Sequence, residues 1–344
     1  MSGPIVVKLG SNLVVGPDRR PRQEIIKAVT AEVSDLVQEG TPVVVVSSGA
    51  IALGAARARL RNGRKGLAPM QAASALGQPD LHRLWQNAFA AHSLPVAQVL
   101  LTGIEIAERR SYVNIRNTLQ VLFAIPAVPI LNENDATSTD EISFGDNDVL
   151  AAQIAVLLRA ASLILLTAAE GVMSHPPGAS GATVIREGNE LGDAVLGQPS
   201  RFGRGGIESK ISAAVLAAAG GVETVIASPC ALGPLLRGER AGTHFAAAAT
   251  TESSFKLWLR YGKPAASAVH IDSGAAKAIQ ENGSSLLAVG VLAWTTDFRA
   301  GDALEICHPP RNIIARGVSS VDSADIGGRP VNIEVVHRDR LVLM

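Results

Sequence analysis

"TPVVVVSSGAIALG", residues 41–54, runs four consecutive valines into two serines and a glycine, and then into a string of small residues. A continuous β-branched run is the pattern of a parallel strand covered by helices on both faces. The change to Ser47, Ser48 and Gly49 at its end lets backbone approach a ligand closely. The same residues also suit a tight strand-to-helix turn with a serine cap. Four other stretches share the pattern: "PIVVKLG" (4–10), "AVPILNEND" (127–135), "ASLILLT" (161–167) and "ETVIAS" (223–228). Between them lie segments with helical spacing, at Gln23–Glu39, Met70–His92, Tyr112–Phe123, Asn147–Arg159 and Glu208–Ala219. The alternation predicts an α/β fold with a doubly wound, mainly parallel sheet. Ligands of such sheets lie beyond the carboxyl ends of the strands, which is where Lys8, Ser48, Asn132, Asp135 and Thr167 fall.

After about residue 255 the pattern changes to short strands parted by Gly, Asp and Asn turns, as in "ASAVHIDSGAAKAI" and "GSSLLAVGVLAWT". The expected organisation is a catalytic-type domain over 1–255, a linker over 256–265 around "YGKPAAS", and a small, mostly β domain over 266–344. With 344 residues, 47% of them hydrophobic and 18% charged, the chain can bury a large core in two domains. The formal net charge is zero, so no long-range attraction to nucleic acid or anionic membrane is expected. Cys230 and Cys307 fit reduced thiols, and no cysteine spacing suits a metal. With no signal core and no apolar run near the ~20 residues that span a bilayer, the expectation is a cytoplasmic protein.

The chemistry-bearing stretch is "LNENDATSTDEISFGDND", residues 131–148, which holds six carboxylates and three asparagines and no Lys, Arg or His. Positive charge must reach it from elsewhere. "VKLGSN" sets Lys8 at a strand end before a turn at Gly10 whose amides can face a phosphate. "GRGGIESK" sets Gly203, Gly205 and Gly206 ahead of a helix carrying Lys210, with the logic of a phosphate loop but not the Walker spacing. Taken singly, a lysine after a strand is a solvated charge, each acid a solvated loop charge or helix cap, and a glycine loop a surface loop.

Together, "VKLGSN", "VVSSGAIALG", "LNENDA", "FGDND", "LLT", "GRGGIESK", "GSSLL" and "VHRD" occur in the order and spacing of the glutamate 5-kinase family, and the resemblance covers nearly the whole chain. The resemblance implies an amino-acid kinase fold with a C-terminal PUA domain. It implies phosphorylation of the side-chain carboxylate of L-glutamate by ATP with Mg2+, giving glutamyl 5-phosphate, the first step toward proline. It further implies a homo-oligomer, a dimer or tetramer, proline feedback, and glutamyl 5-phosphate reductase as a downstream partner. By resemblance, Lys8 and Lys210 stabilise the phosphoryl group and Asp148 holds both lysines. Ser48, Asp135 and Asn147 match glutamate-binding positions, with Asn132, Glu133 and Asp146 as supporting neighbours. Gly10, Thr167, Ala168, Arg204, Gly205 and Gly206 fall with the two lysines on the nucleotide side.

The chain departs from the family pattern on that side. Where T-D-x-x-G-L-Y-x-x-D-P is usual it reads "TAAEGVMSHPP" (167–177), Arg204 replaces a threonine, and Ser143 replaces a common basic residue. The base and ribose contacts are therefore expected to differ. Two other readings remain at this point: a related acyl kinase with altered substrate or nucleotide, and a catalytically silent amino-acid sensor. In residues 266–344, nine Asp/Glu against seven Lys/Arg, with Trp294 and Phe298 the aromatics, argue against RNA as the second domain's ligand.

Overall fold

The computed structural model describes residues 3–57, 66–137, 146–175, 179–191, 206–249, 254–257, 259–260, 265–308, 312–327 and 333–344. The chain divides into two compact units, Met1–Ser254 and Phe255–Met344.

The first unit is built on a seven-stranded sheet in the order β3-β4-β2-β1-β5-β6-β7. Its strands are β1 (Ile5–Leu9), β2 (Val43–Ser47), β3 (Val96–Leu101), β4 (Val128–Glu133), β5 (Ser162–Leu166), β6 (Glu223–Ala227) and β7 (Thr243–Phe245). All neighbours run parallel except β6 and β7. The chain lays β2 and β4 on one side of β1 and β5 on the other, so β1 stands at the point where the winding reverses. Lys8 on β1 lies opposite Val46 of β2 and Leu165 of β5. Every residue of β1, β2 and β5 is buried, as their valine and leucine runs require. The edge strand β3 was not foreseen from sequence. Five of its six residues are only half-buried or exposed, so "VAQVLL" carries no continuous apolar run.

The helices are α1 (Ser11–Val14), α2 (Gln23–Gln38), α3 (Ala50–Arg57), α4 (Leu67–Ala90), α5 (Gly103–Ala107), α6 (Arg109–Ala124), α7 (Asp146–Leu158), α8 (Ile207–Ala219) and α9 (Leu232–Leu236). On one face of the sheet Ile5, Val7 and Leu9 meet Ile26, Val29 and Val33 of α2 and Leu81, Trp85 and Phe89 of α4, spaced every three or four residues. Alternation turns Lys8 to the opposite face, where α7 packs on β1. Helices α3 and α4 touch through glycines. A Cβ on Gly54 would lie 1.7 Å from the Ala73 carbonyl oxygen, and one on Gly77 would lie 1.9 Å from that of Ala50.

The second unit is a sheet of six strands, β8 (Ser267–Ile271), β9 (Leu286–Leu287), β10 (Val291–Trp294), β11 (Ala303–His308), β12 (Asn312–Ser319) and β13 (Glu334–Leu343), in the order β10-β8-β11-β12-β13-β9, antiparallel except where β8 meets β11. Its core includes Val269, Ile271, Ile279, Leu304, Ile306 and Val336. Phe298 belongs to that core and Trp294 packs edge-on against it, with centroids 6.3 Å apart. Of the expected linker 256–265, residues 256, 257, 259, 260 and 265 are described. A short helix, Ser254–Leu257, buries Leu257, and Leu259 packs fully buried against Ala303, Val318 and Val342. Apolar side chains at this spacing gain more from the core than from solvent exposure in a spacer. Residues 261–264 lie outside the described residues.

Overpacking at the glycine contact provides a test of the helix pair. Gly77→Ala should destabilise the chain by about 1–3 kcal/mol, read as a lowered thermal midpoint. Gly103→Ala, which meets nothing within 4 Å, should leave the midpoint close to the parent value.

Candidate active site

The carboxyl ends of the parallel strands open into a cavity of about 550 Å³. At its centre, Lys8 and Lys210 converge on Asp148. The Lys8 Nζ lies 2.5 Å from Asp148 Oδ1. The Lys210 Nζ donates to Oδ1 and Oδ2 at 3.2 and 3.0 Å, and the Ser209 hydroxyl donates to Oδ2 at 3.2 Å. Lys8 comes from β1, Asp148 is the third residue of α7, and Lys210 is the fourth residue of α8. A carboxylate in a helix's first turn is favoured by the unpaired N–H groups there.

All three charged groups are buried, with Asp148 at 0%, Lys8 at 3% and Lys210 at 8% exposure. Burial pushes the Lys8 ammonium down to about 8; Asp148 resists this shift and the neighbouring Lys210 adds to it. Burial alone would push Asp148 up, yet Lys8 and Lys210 together hold it below the usual carboxylate range. The trio carries one surplus positive charge away from water. A phosphate is the complement of such a site.

On the side of β2 and β4, Asn147 is the hub of a hydrogen-bond network. Its Nδ2 donates to Ser48 Oγ at 3.1 Å and to Asn132 Oδ1 at 2.9 Å, while its Oδ1 accepts the Glu133 N–H at 3.1 Å. Asn132 Nδ2 in turn donates to Gln78 Oε1 at 2.8 Å. The Ser74 hydroxyl donates to Asp135 Oδ2 at 2.8 Å. Asp135 is 7% exposed, and burial raises its carboxyl against the opposing pull of Ser74. Among the described residues Ser74 is its hydrogen-bond partner, and a cationic group on a ligand would offset the cost of its burial. Ser74 and Gln78 were missed from sequence. They sit four residues apart on α4, so they share a face, and two polar residues on a helix side that also carries the buried Ala73 and Gly77 were the available signal.

On the side of β5, Thr167 and Ala168 follow the strand, and Gly206 caps α8; all three line the cavity. Gly10 lines it near the lysines, where a Cβ would come within 3.7 Å of Lys8 Nζ and 3.9 Å of Lys210 Nζ. The structure thus brings Lys8, Gly10, Ser48, Asn132, Asp135 and Asn147 to one cavity with Asp148, Thr167, Ala168, Gly206 and Lys210. Asp146 begins α7, but its side chain lies outside what is described. Arg204 and Gly205 lie outside the described residues, as do Gly203 and Ser143. Among the described residues, no group of three or more His, Cys, Asp or Glu is placed to hold a metal ion. The carboxylate at the centre of the cavity is committed to two lysines.

A site with paired lysines on one aspartate, at the switch point of a parallel sheet, is that of a phosphoryl-transferring α/β protein. The family model described as the amino acid kinase family matches residues 3–228, and that of the PUA domain matches residues 267–333. A glutamate 5-kinase from Nostoc sp. is 39% identical, with 98% of this chain and 96% of that protein covered. Those from Corynebacterium diphtheriae and Rhodococcus opacus are 38% and 39% identical, covering 93% and 99% of this chain and 86% and 97% of theirs. Among solved structures, a carbamate kinase from Giardia lamblia bound to AMP-PNP superposes with a TM-score of 0.54 at 17% identity, over 72% of this chain and 99% of that one. That likeness bears on the fold. The chain belongs to the amino acid kinase family, and within it to the glutamate 5-kinases. No helix among the described residues is long and apolar enough to cross a membrane.

The depressed Lys8 predicts two opposite pH effects. The folded value of about 8 lies below the ordinary 10.5, so the cost of a buried ammonium is fully present below pH 8 and is relieved as pH rises from 8 to 10.5. Stability from this group therefore increases across that window. Catalytic efficiency, kcat/KM for the nucleotide, should instead fall as pH rises through about 8, because the free protein loses the proton that faces the phosphate. A profile flat to pH 10 would remove Lys8 from the phosphate site.

Proposed function

We infer that this protein transfers the γ-phosphoryl group of ATP to the side-chain carboxylate of L-glutamate, giving glutamyl 5-phosphate for proline synthesis. The observation that carries the reading is the buried Lys8–Asp148–Lys210 trio, placed between the Asn147 network on one side and Thr167 and Gly206 on the other. The acceptor carboxylate is ionised at neutral pH, so the reaction needs no general base. What it needs is alignment and cancellation of charge on the phosphoryl group in flight.

In this reading Asp135 receives the substrate ammonium, and Ser48, Asn132 and Asn147 orient the reacting carboxylate. Lys8 and Lys210 face the transferring phosphoryl oxygens, and Asp148 keeps the two side chains together. Thr167, Ala168, Gly10 and Gly206 form the nucleotide side, with Arg204 and Gly205 assigned to it from sequence. Mg2+ would accompany the nucleotide and supply further neutralising charge. Assembly into a dimer or tetramer, a cytoplasmic location, and transfer of the labile acyl phosphate to a reductase belong to the same reading. Residues 1–255 would carry the catalytic groups and 266–344 the regulatory or assembly role.

A hydroxamate assay across several amino acids, with ATP and GTP, tests the reading, and L-glutamate with ATP should be preferred. Ala168 presents no side-chain hydrogen-bonding group at the nucleotide side, so GTP is the informative competitor. Lys8→Ala or Lys210→Ala should lower kcat by about a hundredfold or more with little change in the glutamate KM. Unchanged turnover would exclude both lysines from phosphoryl transfer.

Asp135→Asn should act differently, raising the KM for glutamate by about tenfold or more while the KM for ATP holds. The reverse pattern would mean that the two halves of the cavity are assigned backwards.

A further inference from the structure

We propose that Arg19 binds the α-carboxylate of the amino-acid substrate, an inference that rests on the glutamate reading above. Zwitterionic glutamate brings one ammonium and two carboxylates. Asp135 answers the ammonium, and the reacting carboxylate faces the phosphoryl group. The second carboxylate still needs a cation. The cations lining the described cavity are Lys8, Lys210 and Arg19. Both lysines are held by Asp148, whereas Arg19 has no carboxylate partner among the described residues.

The position of Arg19 favours the acceptor half over the nucleotide half. It follows β1 and α1 on a turn closed by Gly16 N–H to the Arg20 carbonyl (2.8 Å), Arg19 N–H to the Gly16 carbonyl (2.9 Å) and a bridge between Val15 and Pro21. The start of this segment rides against the entry to α3: a Cβ on Gly49 would lie 3.2 Å from Val14 Cγ1 and 3.5 Å from Val15 Cγ2. Ile51, Ala52 and Ala55 of α3 line the cavity with Arg19, on the β2 side of Lys8. Thr167, Ala168 and Gly206 approach from β5 and α8, on the other side of β1.

Backbone conformation is a second observation. Arg19 has φ 62, in the left-handed region that glycine occupies without cost. Arg159 and Ser93 share a positive φ, so the conformation counts here only together with the place of the exposed Arg19 on the cavity lining, where the hydrogen-bonded turn holds its backbone. Arginine's planar fork suits bidentate recognition of a carboxylate.

The test compares L-glutamate with 4-aminobutyrate, which keeps the ammonium and the reacting carboxylate and lacks only the α-carboxylate. Arg19→Met should raise the glutamate KM by about tenfold or more, with the ATP KM within about threefold. The kcat/KM ratio of glutamate over 4-aminobutyrate should collapse by a similar factor, and Arg19→Lys should restore part of it. Arg19→Gly, which suits the left-handed backbone, should lose as much as Arg19→Met; parental behaviour in that variant would show that the turn, not the guanidinium, matters. Equal losses on both acceptors, or a loss confined to the ATP KM, would overturn the proposal. If the parent protein phosphorylates neither acceptor, the glutamate reading itself fails. Calorimetric titration of L-glutamate and 4-aminobutyrate into parent and Arg19→Met then decides Arg19 separately, because preference for the α-carboxylate must vanish in the variant.

Discussion

Asp148 holds two buried ammoniums that would otherwise repel each other, and the geometry of the site depends on that single carboxylate. Breaking such a group by removing one partner leaves an uncompensated buried charge, a cost of several kcal/mol in general. The trio is not neutral, however. One carboxylate between two lysines leaves a surplus positive charge out of water, and the lowered Lys8 value records the strain of keeping it there. Part of the folding free energy is thereby stored in a site that becomes balanced when an anion arrives.

Sheet topology explains how one helix end can touch both halves of the cavity. Lys8 points to the α7 face of β1, while Asn132 lies on the opposite face of β4 with Ile130 and Val128 and reaches Gln78 of α4. Asn147 and Asp148 are consecutive in the first turn of α7, so one reaches over the strand ends to Ser48 and Asn132 and the other turns back to the lysines. The Asn147 network and the lysine pair are therefore fixed to each other by one peptide unit. A displacement of the α7 N-terminus would disturb both.

The five buried parallel strands and the main helices were legible because full burial on two faces forces long apolar runs and amphipathic helices leave a regular spacing. Strand β3 escaped because an edge position asks less of its residues, and β7 because three residues make no pattern. The central charged residues were readable from the density of acids in 131–148 and the two lysines outside it. Ser74 and Gln78 were not, since they act from behind the cavity on a long helix whose sequence carries no motif. Arg19 was equally hidden, because its placement depends on a turn and a positive φ that an exposed "GPDRRP" does not announce. The burial of Leu257 and Leu259 was not legible either, since two leucines beside a Gly/Pro-rich stretch make no pattern.

The glycine contact between α3 and α4 divides one wall of the cavity into a frozen face and a free one. Positions 50, 54, 73 and 77 meet backbone to backbone, so a side chain gained at one must be matched by a change at its opposite number. In related chains these four positions should vary as a set or hardly at all. Ile51, Ala52 and Ala55 lie on the same short helix but look into the cavity, where nothing in that contact restrains them. Substitutions can thus accumulate on the cavity side of α3 while the brace that carries Ser74 and Gln78 is inherited unchanged.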